Sequence, residues 1–162
     1  MNKFKTFLAF LISFILQTTI FSKIDIFGAN INIMIPAIVA LSQILGNKIG
    51  PYGAMITGLI EDFLFTNLVG PRALSYFLVG SFVSSDRLNL AKDKPTGLVM
   101  TFFASIFNFL LLTLIYFIFT GQNNLMNYLP TPLLVESILN TLIYFIYYYI
   151  VKKIMYIPTY RI

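Results

Sequence analysis

Two adjacent acids, Glu61 and Asp62, stand in a stretch from Gly50 to Gly80 that is otherwise almost wholly apolar. A carboxylate at membrane depth is costly and marks a place where the chain has use for it. Paired carboxylates can cleave glycosidic bonds when they flank the scissile linkage. Neighbours on one helix instead point about 100° apart, so these two cannot flank one bond. The 162 residues include no histidine and no cysteine. That removes the usual general base at neutral pH, thiolate chemistry, disulfides and the commonest metal ligands. There is also no G-x-S-x-G elbow, Walker A loop, H-E-x-x-H pair or dinucleotide fingerprint. The expectation is a protein that is not an enzyme and uses no cofactor or metal.

Position gives the two acids another role. Gly50, Ala54 and Gly58 recur every four residues, and Asp62 continues the row. Residues four apart share a helix face, and a row of small side chains lets helix backbones approach closely in lipid. Glu61 lies beside that row. Arg72 follows in the next loop or first helical turn, Glu136 opens a later helix, and Gly70 and Gly80 bracket the helix after the acids. The eight positions Gly50, Ala54, Gly58, Glu61, Asp62, Gly70, Arg72 and Gly80 form a predicted seam, for a partner or for internal helix packing. Two readings of its polar end stand side by side. One is a site for a ligand or partner, built from three carboxylates and a guanidinium. The other is an ion pair of Asp62 with Arg72 while Glu61 snorkels to the headgroups.

The elements that position these residues are membrane helices. The chain is 58% hydrophobic and only 10% charged, against about 25% charged in soluble domains. The predicted class is an all-α polytopic membrane protein, one integral membrane domain over 1–162. Six apolar segments are expected: Phe4 to Phe21, Asn32 to Gly46, Gly50 to Phe65, Pro71 to Ser84, Gly97 to Phe119 and Pro132 to Val151. The first has a basic start like a signal peptide but reads as an uncleaved helix. Segments two to four are short for a hydrocarbon core of about 30 Å, so the second and third either span a thinned region or form a re-entrant pair. Pro36, Pro51, Pro71, Pro95 and Pro132 fall at or near helix starts, where proline is tolerated. Asn108 and Gln17, inside helices, are expected to bond between helices. The run Tyr144 to Tyr149 reads as an interfacial belt. With the N-terminus inside, Lys3, Lys5, Lys48, Arg87, Lys92, Lys94, Lys152, Lys153 and Arg161 lie on the cytoplasmic side, against Lys23 and Arg72 outside. The net charge of +5 therefore reports orientation and contact with membrane lipid, not nucleic acid. Both termini are expected in the cytoplasm.

The central stretch resembles the MreD family of bacterial rod shape-determining membrane proteins. The likeness rests on Gly58-Leu59-Ile60-Glu61-Asp62, then Gly70-Pro71-Arg72-Ala73-Leu74, then Gly80, with the short segment Asn32 to Gly46 and a basic turn before them. It is specific over about residues 32–84. Glu61 and the Pro71–Arg72 pair are additions to the family pattern. The resemblance implies a non-enzymatic scaffold of the elongation machinery in the inner membrane. Its implied partner is the bitopic protein MreC and, indirectly, MreB filaments, the RodA glycosyltransferase and its transpeptidase. It also implies a likeness to the S-component fold of energy-coupling-factor transporters, which supplies the alternative: a vitamin-binding S component. A small channel fits less well, since no helix carries a polar stripe along its length.

Overall fold

A computed structural model describes residues 3–85, 93–121 and 131–154. Arg87, Lys92 and Arg161, expected on the cytoplasmic side, lie outside them. Helix α1 covers Lys3–Thr19 and is followed by a 3-10 turn, Phe21–Lys23. A small antiparallel hairpin then pairs β1 (Asp25–Ile26) with β2 (Ala29–Asn30), Asp25 opposite Asn30. Its two-residue turn, Phe27–Gly28, has positive φ at both positions, the turn that matches strand twist. Four helices complete the fold: α2 Met34–Phe65, α3 Pro71–Val83, α4 Lys94–Thr120 and α5 Thr131–Ile154. The chain is an all-α polytopic membrane protein with a minor hairpin. The segments Phe4–Lys23, Lys94–Thr120 and Thr131–Ile154 are each long and apolar enough to cross a membrane.

Helix α2 is two arms. Gly46 breaks it with φ 77°, ψ −172°, a conformation open to glycine and strained for any side chain. The arms then fold back on one another. A Cβ placed on Gly50 would lie 2.6 Å from the Cα of Ser42, whereas eight residues of straight helix span about 12 Å. The second and third segments of the sequence are thus present as a hairpin of helices turning at one residue. Pro51 sits in the opening turns of the second arm, and Pro71 is at the first position of α3. At the start of α4, Asp93 accepts the backbone N–H of Thr96, which together with the Thr96 hydroxyl holds its carboxyl below the usual value.

The six arms alternate in direction. Lys5 Nζ bonds the carbonyl of Ile154, so the start of α1 and the end of α5 share one end of the bundle. Gln43 bonds the carbonyl of Asp93 there, placing the Gly46 reversal and the start of α4 at the same end. The first arm of α2 is the axis of the fold. Met34, Ile35, Ala37, Ile38, Val39, Ala40 and Leu41 are each 0% exposed. The surrounding helices turn Phe, Leu and Ile side chains outward, such as Phe4, Phe63 and Phe119, as a lipid-facing surface does.

Several polar groups inside the bundle are paired between helices. Ser75 Oγ donates to Asn108 Oδ1 at 2.7 Å, linking α3 to α4. Asn140 on α5 donates to Ser105 on α4 and accepts the N–H of Asn32. Gln17 bonds the backbone of Ile31 and Ile33 rather than another helix. The aromatic run is not a simple interfacial belt. Tyr144 and Tyr148, one turn apart, point into the core, and the Tyr144 hydroxyl donates to Gln43 Oε1 at 2.6 Å. Gly97 makes that possible, because a Cβ there would lie 1.7 Å from the Tyr144 oxygen. Tyr149 does face outward, beside Lys94.

Candidate functional site

Asp62 ends the small-residue row on the second arm of α2 and is 0% exposed. Its Oδ2 accepts the backbone N–H groups of Gly70 (2.9 Å), Arg72 (2.9 Å) and Ala73 (3.3 Å). The first N–H groups of a helix have no partner within it and carry its positive dipole end. Asp62 therefore caps α3 from a different helix. The loop that permits this turns at Gly70, whose φ of 123° excludes other side chains. The other oxygen, Oδ1, lies 3.7 Å from Arg72 Nη1, at ionic rather than hydrogen-bond range.

Glu61 does not snorkel. It is 5% exposed, its Oε2 accepts the Tyr76 hydroxyl at 2.8 Å, and Arg72 Nε stands 3.8 Å away. Tyr76 lies one turn beyond Arg72 on α3, so both reach the same acid. Sequence reading missed Tyr76; its i+4 spacing from Arg72 is the signal that pointed to it.

The small residues meet this chain's own backbone. The Cβ position of Gly58 falls 2.7 Å from the Cα and N of Ala73, that of Gly80 3.0 Å from the Cα of Pro51, and that of Gly50 against Ser42. Ala54 is fully buried. These close approaches lie between the arms of α2 and between α2 and α3.

Above the acids, at the end of the bundle away from the described chain ends, is a cavity of about 370 Å³. Its walls include Gln17 from α1, Asn32 before α2, Glu61, Arg72, Tyr76 and, from α5, Glu136. Three of the four charged groups expected to cluster thus share one cavity, while Asp62 is sealed beneath it. Asn32 was not anticipated; it lies in the segment joining β2 to α2, which the hydropathy pattern assigns to a helix start.

A family model, that of the rod shape-determining protein MreD, matches residues 1–155. No curated protein and no solved structure matches the chain. The family match runs through all six arms and includes the capped start of α3, and the chain belongs to the MreD family of rod shape-determining proteins.

Proposed function

We propose that this chain is a non-enzymatic scaffold of the cell-wall elongation machinery in the bacterial cytoplasmic membrane. In this reading it binds an MreC-like bitopic protein and helps couple MreB filaments to RodA and its transpeptidase. The family match over residues 1–155 carries the reading and favours it over a vitamin-binding transport component. The geometry supports the non-enzymatic part. Asp62 is committed to three backbone N–H groups, and Glu61 to Tyr76 and Arg72, so neither acid is poised on a substrate bond. The proposed orientation has all six arms crossing and both termini in the cytoplasm. It is supported by the gathering of Lys5, Lys48, Lys94, Lys152 and Lys153 at one end, with Lys23 and Arg72 at the other.

The proposed partner seam is the outer part of α2 and the start of α3. Its glycine side is filled by the chain itself, so the partner meets the outward side chains Leu59, Phe63 and Leu74. Co-purification from the native membrane tests this. The wild-type chain should retain an MreC-type protein after detergent extraction. A Phe63→Ala, Leu74→Ala variant should retain about tenfold less, the change that roughly 1.4 kcal/mol produces, with an unchanged melting temperature. No retained MreC-type protein, together with normal cell shape after deletion of the gene, would overturn the reading.

A further inference from the structure

Phe27 holds the first position of the β1–β2 turn at φ 54°, and Gly28 follows at φ 78°. A turn with positive φ at both central residues favours asparagine, aspartate or glycine. A bulky side chain there crowds its own backbone and is strained. Among the described residues, Phe27 is the one non-glycine residue with positive φ. Packing does not explain the choice. The side chain is 84% exposed, more than any other large apolar side chain described. Nor does the turn depend on it, because Asp25 Oδ1 holds the turn by accepting the Gly28 N–H at 2.7 Å. The ring therefore has a use outside the fold.

Depth indicates what meets it. The first apolar spanning segment ends at Lys23, and the last begins at Thr131. A Cβ on Gly28 would lie 3.7 Å from Cγ of Pro132, the second residue of that last segment. The turn thus sits where headgroups give way to hydrocarbon, whichever side of the membrane it faces. Lys23, Asp25 and Asn30 around it are exposed and polar, which suits the headgroup layer. The outer edges of the two strands carry backbone groups that hydrocarbon cannot satisfy, so the hairpin as a whole stays out. Its tip alone is apolar enough to enter. Phenylalanine rings of interfacial segments settle at this same boundary.

We propose that Phe27 is a lipid anchor, its ring inserted into the bilayer interface beside the start of α5. Through β2 the anchor steadies Asn32, whose N–H bonds Asn140 on that helix. The chain has no tryptophan, so Phe27→Trp reports without background. In nanodiscs of pure lipid the indole should emit at shorter wavelength than in water. Lipids brominated near the headgroup end of the acyl chain should quench it strongly, and aqueous iodide weakly. A second variant separates anchoring from turn geometry. Phe27→Asn suits the turn, so a merely structural role predicts slower amide exchange across residues 24–30 in the discs. Anchoring predicts severalfold faster exchange there, with the melting temperature in detergent no lower than that of the wild-type chain. If Phe27→Trp fails to fold, the exchange of Phe27→Asn still decides. Water-like emission quenched by iodide and not by bromolipid overturns the proposal, as does unchanged or slower exchange. Shielding of the indole in native membranes but not in discs of pure lipid also overturns it, and assigns the tip to a protein partner.

Discussion

Asp62 serves α3 as a capping residue although it belongs to another helix. A serine or aspartate at a helix's own N-cap contributes typically about 1 kcal/mol. Asp62 accepts three N–H groups and faces the half-buried Arg72, with its own carboxylate out of water. Asp62→Ala leaves those donors without their acceptor, and a buried donor left unpaired costs about 1–3 kcal/mol. Thermal or denaturant unfolding in a fixed membrane mimetic should show a loss of that size, and Asp62→Asn, which keeps the shape, an intermediate one. A loss under about 1 kcal/mol, the worth of an ordinary hydrogen bond, would contradict the cap. The approach of Arg72 to Asp62 was legible in the sequence, because one loop separates them across a helix end. The three backbone bonds were not. They depend on the path of residues 66–69, which sets the start of α3 directly over the carboxylate.

At the scale of elements, the glycines decide how close the helices come. A side chain on Gly58 meets not a flexible side-chain tip but the backbone of Ala73 and Arg72. Gly58→Ala should therefore push α3 away and lower stability by about 1–3 kcal/mol, the usual range for overpacking. Gly58→Leu should yield little monodisperse protein on size-exclusion chromatography. Substitution at the exposed neighbour Leu59 is the control and should do neither. Proline and glycine punctuation made the arms readable, and small-residue spacing made the packed face readable. What hydropathy could not show is that the second and third segments join without a loop, because a single glycine's φ and ψ make the turn. The β-hairpin also escaped notice, since two residues per strand give no alternating pattern.

For the whole molecule, alternating arms and the gathering of lysines at one end make orientation measurable. The chain has no cysteine, so single-cysteine variants report without background. Lys23→Cys should react with a membrane-impermeant maleimide on intact spheroplasts, and Lys48→Cys only after permeabilisation. Both side chains are exposed, so burial does not confuse the result. Reversed labelling would invert the proposed topology, and labelling of both from outside would make the α2 hairpin re-entrant. Fold class was legible because hydropathy acts over long segments. The polar cavity was legible only as acids gathering at one end. Its walls come from residues far apart in sequence, such as Gln17, Tyr76 and Glu136, and no local pattern brings them together.

The buried first arm of α2 has a consequence for how the protein is made. Residues 34–45 extend about 18 Å, too short to settle in a bilayer unaided. Helix α5 fastens this arm at both ends, through Asn140 to Asn32 and through Tyr144 to Gln43. The axis of the fold emerges early from the ribosome, yet its enclosure waits for the last helix to arrive. Completion of the core thus waits on α5.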